Sequence, residues 1–248
     1  MAEPTRNEVA LLEAIALQDA NAALALIAAG CSGNARDPET GRSALTMAVR
    51  PGMEEVAARL IEAGCGQEVM DEAVLYAAGR GNGTILRSLL DHGANPDGPN
   101  PKYPALAVAA ARKRAELVPI LLAAGCSQVA LDQAVGFAVQ AGQHEVLALL
   151  LQHGANANVM FAGPPLLHWA VLRSDRTSVR LLLDAGADPN LRGQGIGQST
   201  LLLAVIRRDQ ELVTLLLTYG ANPDGEEESG LTVREAARLS GINLDASR

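Results

Sequence analysis

Leu166-Leu167-His168-Trp169-Ala170, followed by Leu181-Leu182-Leu183-Asp184-Ala185-Gly186, is the stretch that decides the fold, because the chain writes its pattern seven times. Aliphatic runs close on Gly30, Gly64, Gly93, Gly125, Gly154, Gly186 and Gly220, at intervals of 34, 29, 32, 29, 32 and 34 residues. Sixteen residues before each glycine stands an alanine, with Leu or Val three positions earlier. The pairs are Leu11/Ala14, Leu45/Ala48, Val74/Ala77, Leu106/Ala109, Val135/Ala138, Leu167/Ala170 and Leu201/Ala204. The i, i+3 spacing puts both members on one face of a short helix. A turn such as Gly79-Arg80-Gly81-Asn82 follows, then a second helix with apolar residues at helical spacing, as in Val146, Leu149 and Leu150. Glycine at its end suits the left-handed position that closes a helix. One such pair cannot bury its apolar face alone, so the copies must stack into a continuous core.

Composition agrees with thin layers of packed helices. Hydrophobic residues make up 48% of the 248, yet aromatics only 2%, so the apolar mass is Ala, Leu and Val. Ala and Leu lead the helix-propensity order. A net charge of −8 disfavours nucleic acid, whose phosphates need a basic surface. Three cysteines without a CxxC make neither a disulfide framework nor a zinc site. Met1 to Asn7 is polar, so no signal peptide is expected, and no apolar run reaches the roughly 18 residues of a membrane span. The expected setting is the cytoplasm, away from membranes.

The quoted residues also carry a resemblance. Leu166-Leu167-His168-Trp169-Ala170 resembles the Thr-Pro-Leu-His-x-Ala box of ankyrin repeats, and Ser43 to Ala48 and Ser199 to Ala204 are looser versions. His-Gly-Ala-Asn at 92–95 and 153–156, Ala-Gly-Ala-Asp-Pro-Asn at 185–190 and Gly-Ala-Asn-Pro-Asp at 220–224 resemble the ankyrin helix-to-hairpin turn. Gln143-His144-Glu145-Val146 resembles the start of the second helix. A tetratricopeptide array has a similar period but needs aromatics at fixed sites that this chain lacks. The resemblance covers about residues 7–240. It implies an all-α ankyrin-repeat solenoid, one domain over 1–248 with about eight helix-turn-helix units: 7–38, 42–67, 68–98, 101–127, 128–160, 163–192, 197–225 and a cap at 229–248. It further implies a concave groove and finger loops that bind another protein, no enzyme activity, no cofactor, and a monomer in isolation. The 29-residue intervals imply shortened connections at Cys65-Gly66-Gln67-Glu68 and Cys126-Ser127-Gln128-Val129, without a hairpin finger. These lie 61 residues apart, so 42–98 and 103–159 read as a duplicated block. The Ala-rich, Arg-over-Lys composition resembles that of proteins from GC-rich bacteria. In that class two roles deserve weight, an immunity or antitoxin-like inhibitor of a toxin and a host-directed effector; from a different class comes the regulatory subunit of an enzyme.

No residue set suggests catalysis or metal binding. His92, His144, His153 and His168 occupy ankyrin consensus positions, where they bond neighbouring backbone and order the turns. Cys31, Cys65 and Cys126 follow repeat glycines, where other copies have alanine. Equivalent sites lie roughly 10 Å apart, beyond the approximately 7 Å limit for a disulfide, so the thiols read as small apolar fillers. Gly193-Gln194-Gly195-Ile196-Gly197 reads as a finger, not a phosphate cradle.

Two patterns point to partner binding. The residue before the repeated alanine is Glu13, Met47, Tyr76, Val108, Phe137, Trp169 and Leu203 in turn, and Tyr103 and Phe161 fall in finger loops. Aromatics gathered on a groove make natural hot spots. Two or three residues past the alanine stand Arg50, Arg80, Arg112, Gln140, Arg173 and Arg207. This ladder suits an acidic patch on the partner. The competing readings are that the first position is half-buried packing and that the arginines meet the negative ends of helix dipoles. Asp71, Glu72 and Asp132 are expected to begin helices, and Glu226-Glu227-Glu228 to be solvated.

Overall fold

The computed structural model describes residues 5–193, 198–225, 227, 230 and 232–244. Most of the glycine-rich finger expected at 193–197, together with Glu226 and Glu228, lies outside the described residues. Fifteen α-helices are present among the described residues, and no strand: α1 (Arg6–Ala16), α2 (Ala20–Ala28), α3 (Ala44–Ala48), α4 (Glu54–Glu62), α5 (Gln67–Arg80), α6 (Gly83–Asp91), α7 (Ala105–Ala111), α8 (Val118–Ala123), α9 (Gln128–Ala141), α10 (His144–Gln152), α11 (Leu166–Leu172), α12 (Arg176–Asp184), α13 (Thr200–Ile206), α14 (Gln210–Thr218) and α15 (Val233–Ser240). A 3-10 turn, Ala115–Leu117, leads into α8. The fold is all-α, as the repeat requires: seven helix pairs and α15 as a truncated eighth.

The chain falls into two compact units, 1–130 and 131–248, with the boundary inside α9. In the first, α1, α3, α5 and α7 pack successively as one layer, and α2, α4, α6 and α8 as another. In the second, α11 packs on α13 and α13 on α15, while α12 contacts both α10 and α11.

The repeated Leu/Ala pairs form the core. All seven alanines are buried, six of them completely, as are their Leu or Val partners. An alanine presents only a methyl group, so neighbouring first helices approach closely. Each closing glycine, from Gly30 to Gly220, has a positive φ between 84° and 96°. The next N–H then returns to the last turn, as in Ala187 N to Leu182 O at 2.9 Å and Cys31 N to Leu26 O at 3.1 Å. A second left-handed residue stands four positions past every repeated alanine. It is Gln18, Gly52, Gly81, Lys113, Gly142, Ser174 and Arg208. Only three of these seven are glycine.

Successive repeats are stitched by one recurrent hydrogen bond. The side chain four residues past a closing glycine accepts the N–H two residues past the next one. Asn34 Oδ1 takes Gly66 N at 2.8 Å, Asn158 Oδ1 takes Asp188 N at 2.7 Å, and Asn190 Oδ1 takes Asn222 N at 2.8 Å. Asp97 does the same for Ser127 N at 3.1 Å. No hairpin follows Gly64 or Gly125, as their short intervals require. The connecting residues extend the first helix instead, so α5 and α9 run 14 residues against five to seven in α3, α7, α11 and α13. This corrects the expectation that Asp71, Glu72 and Asp132 begin helices. They lie past the first turn of the extended helices. From there Asp71 accepts Asn95 N at 2.8 Å and Asp132 accepts Asn156 N at 2.9 Å, taking over the stitching role.

The left-handed turns give a stability test. Ser174→Gly removes the steric cost of a Cβ at φ 53° and is expected to stabilise the fold by about 0.5–1 kcal/mol. Gly186→Ala, at φ 86°, is expected to cost about 1–2 kcal/mol. Urea unfolding of the three proteins checks both signs.

Candidate partner-binding site

The second unit brings three of the expected residues together. Phe161 sits in the finger between α10 and α11, closed by Phe161 N to Pro164 O at 2.9 Å and Leu166 N to Val159 O at 3.1 Å. Its ring meets Phe137 of α9 edge-on, with centroids 5.2 Å apart and planes at 78°. Trp169 of α11 donates its indole N–H to Phe161 O at 2.7 Å, fixing the finger to the helix. All three side chains are half-buried. The ring has room because the residue beside Phe137 is Gly136: a Cβ there would lie 2.1 Å from Phe161 Cδ2. The equivalent residue of α5 is Leu75. Met160, next to the cluster, is 46% exposed.

In the first unit, Tyr76 of α5 is half-buried and lies under the Arg42 guanidinium, whose Cζ is 5.6 Å from the ring centroid. Met47 is half-buried, and its carbonyl accepts Arg50 Nε at 2.8 Å. Tyr103, in the finger before α7, is 63% exposed. Leu203 differs from the others: it is 8% exposed and belongs to the core of α13. The arginines lie where first helices end. Arg80 is the last residue of α5, Arg112, Arg173 and Arg207 cap α7, α11 and α13, Gln140 is next to last in α9, and Arg50 follows α3. All but Arg50 are exposed. Both competing readings therefore have physical content. The pre-alanine position is mostly half-buried, and cations at these helix ends are favoured by the dipole.

The histidines and cysteines hold the frame. His92 and His153 place Nδ1 2.8 Å from Ser88 O and Leu149 O, one turn back. His144 reaches a side chain rather than backbone: its Nε2 lies 2.9 Å from both oxygens of Asp175. Asp175 caps α12, accepting Ser178 N at 3.1 Å and Ser178 Oγ at 2.7 Å. Burial works to raise the Asp175 pKa, but these bonds from Ser178 and His144 hold it below the usual value. Burial lowers the pKa of His168 and favours its neutral form. The cysteines are free. Cys65 Sγ contacts Leu60 O at 3.2 Å and packs against Gly33, while Cys126 Sγ contacts Leu121 O at 3.1 Å. Desolvation pushes Cys65 up to about 11 and Cys126 to about 12, which suppresses thiolate chemistry.

One acidic residue departs from expectation. Glu227, read as solvated, has a side chain 1% exposed. It accepts Arg192 Nη2 at 3.1 Å and Ser199 N at 2.9 Å, joining the last two inter-repeat loops. Arg36 answers Glu72 in the same way, at 3.1 and 3.2 Å. Both arginines stand six residues past a closing glycine, a regularity present in the sequence that marks the carboxylate of the next repeat as a partner. Among the described residues no three His, Cys, Asp or Glu side chains cluster to hold a metal, and no helix is long and apolar enough to cross a membrane.

Known proteins share this pattern. A family model of ankyrin repeats, three copies, matches residues 106–193. A stretch of the Arabidopsis thaliana E3 ubiquitin-protein ligase KEG is 35% identical over 106 residues, 38% of this chain but 6% of the ligase. Among solved structures, an ankyrin repeat domain from Acinetobacter baumannii is 34% identical with a TM-score of 0.62, covering 72% of this chain and 98% of that one. The ankyrin repeat domain of Bcl-3, described as a unique member of the IkappaB protein family, is 25% identical with a TM-score of 0.67, covering 87% and 99%. That of human ASB11, at 24% identity and a TM-score of 0.56 over 93% and 96%, shares the fold.

The Gly136 socket predicts a change of sign. In the native chain, Gly136→Ala expels the Phe161 ring and is expected to destabilise the fold by about 1 kcal/mol or more, the loss of an aromatic pair outweighing helix propensity. In a Phe161→Ala background the same change is expected to stabilise by up to about 1 kcal/mol. Denaturation of the four proteins measures the cycle. The raised thiol pKa values predict alkylation of Cys65 and Cys126 by iodoacetamide at pH 8 at least ~100-fold slower than free cysteine, followed by mass spectrometry.

Proposed function

Because this chain belongs to the ankyrin-repeat family, whose domains are generally protein–protein interaction modules, we propose that it binds a partner protein through the exposed parts of its first helices and fingers. In the second unit the anchor is the Phe137–Phe161–Trp169 cluster, with Met160 and Arg173 beside it in sequence or on the same helix end. The observation that carries this reading is the indole-to-carbonyl bond at 2.7 Å. It holds a finger and a half-buried aromatic set in one arrangement before any partner arrives, which lowers the ordering cost of association. Aromatics and arginine are the residue types that dominate binding energy at interfaces. In the first unit Met47, Tyr76 and Tyr103 supply apolar contact, and Arg50, Arg80 and Arg112 supply positive charge. Gln140 and Arg207 play the polar part in the second. Leu203 contributes as a support beneath this surface, since it is buried.

The fold itself is typically a non-catalytic scaffold, and the histidines and cysteines are engaged in capping, packing or inter-repeat contacts. Nothing in their arrangement calls for turnover.

Trp169 is the single tryptophan of the chain, so its fluorescence reports on the site directly. The doubly substituted protein, Trp169→Ala with Arg173→Glu, is expected to capture the native partner from source-organism lysate at least ten times less well, with an unchanged helical CD signal. With the captured partner in hand, titration is expected to shift the Trp169 emission of the native chain. Undiminished capture and a silent tryptophan would remove the cluster from the interface.

A further inference from the structure

The cations of this protein divide into those answered by carboxylates and those left free. Arg36 is answered by Glu72, Arg59 by Glu62, Arg192 by Glu227 and Arg234 by Asp224. At the helix-to-helix turns of the second unit, Arg176 is answered by both Asp209 and Glu211. Arg173, Arg207 and Arg208 at those turns are exposed with no described carboxylate within 4.0 Å, and the first unit holds a second such group. The α5–α6 turn carries Arg80, and the turn after α7 carries Arg112-Lys113-Arg114. Arg80, Arg112 and Lys113 are exposed, and none has a described carboxylate within 4.0 Å.

Arg114 adds a second observation. Its Nε is buried and makes no hydrogen bond, the one such side-chain atom among the described residues. The guanidinium lies across the neighbouring turn, where a Cβ on Gly81 would stand 3.0 Å from Nε and 3.1 Å from Cζ. Gly81 is therefore required twice, for its φ of 81° and for the absence of a side chain beneath Arg114. This contact also shows that the two turns are neighbours. A buried donor left without an acceptor is costly, and the packing over Gly81 holds the guanidinium beside three exposed cations.

We propose that the paired turns at 80–82 and 112–114 form a docking site for a short acidic segment of a partner protein. The site consists of Arg80, Arg112, Lys113 and the pre-positioned Arg114. Two neighbouring turns span roughly 10 Å, the spacing of packed helices, which three or four residues of extended chain cover. Guanidinium forks bind carboxylates in pairs of parallel hydrogen bonds. A nucleic acid is disfavoured, because its regularly spaced phosphates need a basic surface that extends beyond these four cations on a protein of charge −8. The inference rests on the reading of the chain as a partner-binding module, and it names the chemistry that one edge of its first unit accepts.

The test uses the full chain and a fluorescein-labelled decaglutamate peptide, read by anisotropy in 50 mM NaCl, with decaglutamine as control. Decaglutamate is expected to bind and decaglutamine not. Raising NaCl to 500 mM is expected to weaken binding at least tenfold, because exposed charges are screened. The triple variant Arg80→Glu/Arg112→Glu/Lys113→Glu is expected to lose at least tenfold. A control with the same charge reversal at exposed second-unit cations outside the proposed surfaces, Arg180→Glu/Arg208→Glu/Arg238→Glu, is expected to lose less than twofold. Gly81→Ala, which displaces Arg114 without removing charge, is expected to weaken binding several-fold while CD shows the helices intact. Absence of decaglutamate binding, or equal losses in the two triple variants, overturns the proposal. Tighter binding of a ten-nucleotide single strand, lost in the first triple variant, overturns it in favour of nucleic acid. The peptide assay is independent of the native partner, so loss of capture through Trp169 with intact peptide binding defeats only the aromatic site, and the reverse defeats only this one.

Discussion

Each repeat reverses its chain twice through a residue of positive φ, four and sixteen positions beyond a buried alanine, and those two reversals set everything that follows. An α-helix advances about 100° per residue, so an error of one position would swing the Leu/Ala pair off the face its neighbours need. The chain holds the two offsets in all seven full repeats and puts its length variation elsewhere. The distance from a closing glycine to the next repeated alanine is 18, 13, 16, 13, 16 and 18 residues, which accounts for the whole spread in repeat length. Helix packing is intolerant downstream of the alanine, whereas the connection upstream runs over the edge of the stack.

That asymmetry explains which features were legible in the sequence. The closing position is glycine seven times, so its conformation could be read directly. The first reversal is glycine only at Gly52, Gly81 and Gly142, and the left-handed Gln18, Lys113, Ser174 and Arg208 carry no local signal. Their conformation is imposed by the packing on either side. The length of α5 and α9 was likewise hidden. A four-residue connection without a finger reads as a loop, yet the same residues continue a helix because nothing remains to fold back. At the candidate site, the sequence placed Phe137 and Trp169 at one repeat position but could not join them to Phe161. The signal was Gly136, a helix-interior glycine where the duplicate has Leu75, and its meaning depends on a ring from a different loop.

Shortening a finger removes an acceptor as well as a loop. In the other repeats an Asn or Asp four residues past the glycine binds the next repeat, a bond worth about 0.5–1.5 kcal/mol. Where the finger is gone, the equivalent positions are Glu68 and Val129, and an aspartate one helical turn further on takes the N–H instead. Asp71 and Asp132 stand at identical places in the two copies. A duplication that lost its fingers and kept its stitching would look like this. The extended helices are thus a second solution to the same inter-repeat problem, and they bring Tyr76 and Phe137 onto longer, more rigid supports.

The same bookkeeping of partners separates the edges of each unit. Along the finger edge, polar groups are consumed by holding repeats together: Arg36 and Arg192 by carboxylates of the next repeat, and the Asn and Asp side chains by backbone N–H groups. A substitution there costs stability before it alters recognition. At the turns that end the first helices, the backbone is already satisfied by the left-handed reversal. The exposed side chains at these turns are released from structural duty. Arg80, Arg112 and Lys113 can vary at little cost to the fold, whereas Phe137 and Trp169 also hold the finger through Phe161. The proposed recognition falls to the turn positions because the architecture leaves them unassigned.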